Sequence, residues 1–189
     1  RPGSASPRGP LALAAMAAEA HRHAEATGFD PFRVPAMLLD AWVAERRNDG
    51  DAATAAYGRA LDLAGRVGFA DHAAFALSGL ASRALASGDL TRAEELERRA
   101  LATAEGARAA WAAAHARVEL GRILAAVGDT ETAAKLYRNV LEWSQTPRRH
   151  GPRESLFLAL AEDPAAAAST GLANLGDGRP VTAAEVAPV

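Results

Sequence analysis

Cysteine is absent from this chain, which removes disulfide frameworks, thiolate zinc sites and a cysteine nucleophile together. Neither sign of charge dominates: the formal net charge is −2, so no global field points to nucleic acid or to an anionic membrane surface. No apolar run reaches the roughly 18–20 residues that would span a bilayer as a helix. The sequence holds no GxxxxGK[ST] phosphate loop, no H-E-x-x-H, no G-x-S-x-G and no defensible helix-turn-helix pattern, so no motif-borne nucleotide, zinc or serine chemistry is indicated. We therefore expect no enzyme, no metal and no cofactor, an enzyme remaining only if residues distant in sequence converge.

Aromatic residues are also scarce, at 5%, whereas alanine makes up about a quarter of the 189 residues. Alanine has the best helix propensity and lets helix axes approach closely. The length suffices for a real core in one domain or two small ones. The stretch LALAAMAA (11–18) follows two arginines and has the look of a signal-peptide core. It runs straight into EAHRHAEA, however, and a helix with a polar face is the preferred reading. The chain does not begin with methionine, and we expect it to be part of something longer.

One sentence is written twice: GDLTRAEELERRALA at 88–102 and GDTETAAKLYRNVLE at 128–142. An offset of 40 residues brings Ala53, Ala93 and Ala133 into one column, with Leu13 ahead of them. A second column holds Ala20, Ala60, Ala100 and Val140, and a third Ala17, Tyr57, Glu97 and Tyr137. These positions fall at i, i+4 and i+7, one stripe of an α-helix. Upstream, a second helix repeats through Ala36, Ala76 and Ala116, and through Ala41, Ala81 and Gly121. The joints repeat too. Gly28-Phe29 matches Gly68-Phe69, and Asn48-Asp49, Gly88-Asp89 and Gly128-Asp129 form the turns within pairs. Each offers a residue that accepts positive φ, followed by an apolar clasp or a capping oxygen. Asp30 and Asp71 are expected to cap the helices after the glycine-phenylalanine joints.

Helices are thus predicted at about 10–27, 33–47, 51–67, 71–87, 90–105, 107–127 and 130–145, stacked as α-hairpins. A single hairpin cannot bury its stripe, so neighbours stabilise one another. A large charged residue at Ala93 or Ala133 should cost several kcal/mol. Residues 1–9 read as a Pro/Gly/Ser linker. After Gln145 the period stops. ESLFLALAE (154–162) is expected to lie as a lid on the last hairpin, and Asp163-Pro164 to open a short helix reaching about Leu175. The repeat domain would then run from 10 to 175, with a disordered tail at 176–189.

The pattern L-G-x-x-[LY]-x-x-x-G-D-x-x-x-A-x-x-x-Y-x-x-[AV]-L resembles the tetratricopeptide repeat (TPR). Leu120, Gly121, Leu124, Gly128, Ala133, Tyr137 and Val140 fill it in order. Leu80, Ala81, Ala84, Gly88, Ala93 and Ala100 match in the preceding unit, where Glu97 replaces the aromatic. Around 36–62, Asn48 stands for the glycine, with Ala53, Tyr57 and Ala60 in place; the first unit keeps only its second helix. The period is longer than the usual ~34 residues. Long repeats of this kind are similar to the C-terminal arrays of bacterial LuxR-type and SARP-type regulators. The resemblance implies an all-α superhelix, or solenoid, with a C-terminal capping helix, acting as a cytoplasmic scaffold for a protein, a peptide or a sister domain. The alternative is a sensor that holds a small-molecule effector in the groove.

By the same resemblance the first helix of each hairpin lines the inner surface. That places Trp42, Glu45, Arg46, Phe75, Ser78, Ser82, His115, Glu119 and Arg122 toward the groove. Tryptophan and arginine are good anchors, although Trp42 and Phe75 serve equally well as inter-helix packing. TPR domains that clamp a C-terminal carboxylate use lysine and asparagine on these helices. The matching positions hold Leu38, Leu39, Ser78, Gly79, Val118 and Glu119, so that chemistry is not expected.

Other candidates have plainer readings. His21 and His23 lie about 200° apart on a helix and cannot share one metal. In EELERR (94–99), Glu94 faces Arg98 and Glu95 faces Arg99, a solvated outer face. Arg148, Arg149, His150 and Arg153 form the one basic patch. It has no interleaved aromatics, so nucleic acid is not expected as a partner.

Overall fold

Asp49, Asp89 and Asp129 each begin a helix in the same way. Their carboxylates accept the amide hydrogens of Ala52 (3.0 Å), Arg92 (2.9 Å) and Thr132 (3.1 Å), satisfying donors that the first helical turn leaves free. The computed structural model in which these caps occur describes residues 10–28, 32–146 and 162–176. Among the described residues there is no strand. The helices among the described residues are α1 (Pro10–Thr27), α2 (Arg33–Arg46), α3 (Gly50–Val67), α4 (Ala70–Ala86), α5 (Leu90–Gly106), α6 (Ala110–Ala126), α7 (Thr130–Ser144) and α8 (Pro164–Gly176). The fold is all-α, as expected. The linker at 1–9, Asp30, the proposed lid at 154–162 save its last residue Glu162, the basic cluster at 148–153 and the tail beyond Gly176 lie outside the described residues.

The helices end alike as well. Asn48 (φ 57°), Gly68 (φ 75°), Gly88 (φ 83°), Arg108 (φ 56°) and Gly128 (φ 92°) all take the left-handed conformation. At every one of these joints the next amide reaches back five residues: Asp49 to Ala44 O, Phe69 to Ala64 O, Asp89 to Ala84 O, Ala109 to Ala104 O and Asp129 to Leu124 O, each at 2.9 Å. This is the Schellman closure, which satisfies a carbonyl that the helix end would orphan.

Two expectations need correction at these joints. Helix α6 begins at Ala110 rather than 107, because Arg108 occupies the left-handed position that glycine holds at 28 and 68. Asp71 does not cap α4. The helix starts at Ala70 behind Phe69, and the Asp71 carboxylate instead accepts from the His72 amide and meets its Nδ1, both at 2.9 Å. A side chain at positive φ is strained where glycine is not. Arg108→Gly is therefore expected to stabilise the fold by about 0.5–1 kcal/mol, read as a higher urea midpoint at unchanged slope.

Packing follows chain order, each helix against the next, with α8 lying on both α6 and α7. In addition α2 touches α4 and α4 touches α6, whereas no comparable contact joins α3 to α5 or α5 to α7. The alanine columns form the seams: Ala36, Ala53, Ala60, Ala76, Ala93, Ala100, Ala116 and Ala133 are all fully buried. Larger groups meet glycine. A Cβ on Gly79 would stand 2.3 Å from the Tyr57 ring, and Cβ atoms on Gly121 and Gly171 would stand 2.6 and 2.5 Å from the Tyr137 ring. Asp163 caps α8 as expected, accepting from the Ala165 amide at 3.0 Å.

Candidate partner-binding face

The proposed groove residues all sit on α2, α4 and α6, and burial divides them. On α2, Trp42 and Glu45 are half-buried and Arg46 is exposed. The Trp42 indole N–H and the Glu45 carboxylate both bear on the Tyr57 hydroxyl of α3. Burial, and then the Glu45 charge, push that phenol well above its usual range. Glu45 is itself raised, by burial first, against the opposing effects of Tyr57, Arg83 and Arg46. Its Oε1 is buried with no hydrogen-bond partner among the described residues.

On α4, Ser82 is half-buried, but Phe75 and Ser78 lie inside. Phe75 stands 5.4 Å from the Trp111 ring and 5.1 Å from the His115 ring. Trp111 stacks nearly parallel on His115 at 5.8 Å. Phe75 is therefore a packing residue beneath His115, which leaves the accessible face to Trp42, Arg46, Ser82 and the half-buried groups of α6. Trp111 was not singled out from the sequence, since it falls outside the inner register. Its position one turn before His115 on the same helix face is the signal that was available.

On α6, His115, Glu119 and Arg122 occur at i, i+4 and i+7 and share a stripe. Arg122 donates to Glu119 at 2.8 Å and to Glu162, just ahead of α8, at 2.6 Å. Burial alone would lower the guanidinium's pKa, yet the two carboxylates more than offset it and the net shift is upward. The pair of ion contacts ties the segment just ahead of α8 to α6. Burial lowers His115, with Glu119 opposing, so the ring is neutral at pH 7 and stacks as an aromatic.

The most unusual group lies one layer deeper. Glu97 of α5 is buried at 1% exposure, and the Ser78 hydroxyl donates to its Oε1 at 2.7 Å. In the repeat columns Ser78 replaces Leu38 and Val118, and Glu97 replaces Tyr57 and Tyr137. The middle unit has thus exchanged an apolar–aromatic contact for a hydrogen-bonded polar one. Within its own column Glu97 departs from the repeat; the partner change at 78 shows only when both columns are read together.

The remaining sequence candidates are accounted for in simple terms. His21 pairs with Asp40 of α2 at 2.8 Å, and His23 is exposed. Glu94 pairs with Arg98 as expected, but Glu95 pairs with Arg92 at 3.1 Å rather than with Arg99. Among the described residues no group of three or more His, Asp or Glu side chains is placed to hold a metal, and no helix is long and apolar enough to cross a membrane. No family model matches the chain, and a search of curated proteins gives no match.

Proposed function

We propose that the chain is a protein-interaction scaffold: a TPR-like superhelix that presents one face of α2, α4 and α6 to a helical segment of a protein partner or sister domain. The observation that carries this reading is the contact pattern. Alternate helices meet along α2–α4–α6, and no pair among α3, α5 and α7 is packed as closely. Crowding on one side and spreading on the other is what a curved stack of hairpins requires, and on this reading the helices bearing the anchors line its inner radius. The anchors alternate in character: a half-buried Trp42, an exposed Arg46, then Ser82, His115 and the Glu119–Arg122 pair. Such a face suits an amphipathic helix that lays apolar groups at i, i+4 and i+7 into the groove with charges at the rim. By its resemblance to the long-repeat arrays of LuxR-type and SARP-type regulators, the chain is proposed to be the C-terminal array of a cytoplasmic bacterial signalling or transcriptional regulator.

A small-molecule sensor is the lesser reading. It needs Phe75 or Trp42 to share a pocket with Arg122, and Phe75 is covered while Arg122 is held by two carboxylates. The scaffold reading is tested by selecting helical peptides from a displayed library on the whole chain. The selected peptides should lose at least about tenfold in affinity on Arg46→Glu or Trp42→Ala, roughly 1.4 kcal/mol or more. Arg59→Glu on the outer helix α3 should leave binding unchanged. Peptides that respond to Arg59→Glu and ignore Arg46→Glu would sink the assignment of the face.

A further inference from the structure

The Ser78–Glu97 pair stands at the centre of the array, where α4, α5 and α6 meet. In the flanking units a tyrosine ring fills the corresponding place and closes on glycine. Here the place is filled by a carboxyl group that water does not reach. The groups facing it are few. From α4 comes only the Ser78 hydroxyl, a neutral donor; Arg83, on the same helix, is drawn instead to Glu45 and lies against Gly50. From α6 comes Glu119, whose charge acts on Glu97; Arg122 beyond it is already shared between Glu119 and Glu162. Arg117, also on α6, is paired with Glu105 at 2.6 Å. On α5 itself the charged neighbours Arg92, Glu94, Glu95 and Arg98 pair along the outer side. Among the described residues, an ionised Glu97 would thus have one neutral hydrogen bond, a like charge opposite and no cation of its own.

We propose that Glu97 and Ser78 form a proton-operated hinge in the middle of the array. With the carboxyl neutral, α4, α5 and α6 close around it; when it loses its proton the α5–α6 seam loosens while α1 to α3 stay packed. Burial holds the carboxyl well above the usual carboxylate range, the Ser78 hydrogen bond opposes this, and the Glu119 charge adds to it. The sign follows from linkage. The closed form keeps its proton to higher pH than the open form, so the closed form is fully favoured below the ordinary carboxyl range. Opening then gains up to about tenfold per pH unit until the closed form also ionises. The inference needs no partner and stands apart from the groove reading.

Amide hydrogen exchange by mass spectrometry on the whole chain between pH 5 and 8, corrected for intrinsic exchange, tests it. Protection over residues 90–126 should fall by up to about tenfold per pH unit, while peptides from α2 and α3 hold theirs. Glu97→Gln, a neutral isostere, should make the α5–α6 profile flat. Glu119→Gln should move the wild-type transition to lower pH, and Ser78→Ala should move it higher, each with unchanged helicity by circular dichroism. These last two variants keep the test open should Glu97→Gln fold poorly. A flat wild-type profile, an equal fall in every helix, a transition that survives Glu97→Gln, or a failure of the other two variants to move the midpoint in opposite directions overturns the hinge.

Discussion

Ala100→Arg is expected to lower the stability of the array by more than about 4 kcal/mol, most of the net stability of a domain at the low end of the usual range. Ala100 lies in the middle of α5 with no exposed surface, in a cluster with Leu77 and Ala81 of α4, Leu96 of α5 and Ala116 of α6. The seam has closed on a methyl group. An arginine there would have to force two neighbouring helices apart or leave its charge inside without a partner, and either alternative is costly. Being mid-helix, it has no short path along which to extend its guanidinium to water. Urea unfolding followed by circular dichroism measures the loss. Arg99→Ala, on the exposed side of the same turn, should change stability by no more than about 0.5 kcal/mol. A tolerated Ala100→Arg would show that α4, α5 and α6 are not packed through this column.

Tyr137→Ala is expected to cost about 3–5 kcal/mol, as for other buried aromatics reduced to a methyl group. The ring lies between two backbones: Gly121 of α6 and Gly171 of α8 leave it the space that a Cβ would take. Its removal therefore empties a site bounded by main chain, which cannot collapse by rotating a side chain. The fold should also lose the docking of α8, which rests on α6 and α7. Tyr137→Phe retains the ring and should cost less than about 1 kcal/mol. Burial pushes the phenol up to about 12, so the hydroxyl is neutral throughout the ordinary pH range and contributes no charge that Phe would remove. Equal losses for the two variants, compared by urea midpoint, would mean that the hydroxyl rather than the ring holds these helices together.

The columns that predicted the helices are local and one-dimensional. Ala53, Ala93 and Ala133 recur at a fixed offset, and the caps Asp49, Asp89 and Asp129 recur just ahead of them, so element type, order and most ends could be read directly. Arg108 could not be read this way. The left-handed turn there is imposed by the closure between Ala109 and Ala104, and no residue preference announces it. Asp71 looked like a cap because capping oxygens commonly follow such joints, but Phe69 already stood in that place. At the candidate face, the helices were foreseeable and the depth of each side chain was not. Phe75 and Ser78 share a register with Ser82, yet α5 and α6 cover the first two and leave the third partly open. Burial of that kind depends on the neighbouring unit, which the spacing within one helix does not report.

The joints carry a consequence for how such a molecule is enlarged or shortened. Successive connections from Asn48 to Gly128 close with the same five-residue back-bond and the same handedness, so the segments between them have interchangeable ends. Residues 69–108, bounded by two equivalent closures, form a transferable brick. Duplicating or deleting that brick in the gene changes the array by one hairpin and keeps the turn closures, but it remakes a seam: on deletion Glu119 would stand where Gly79 now receives the Tyr57 ring.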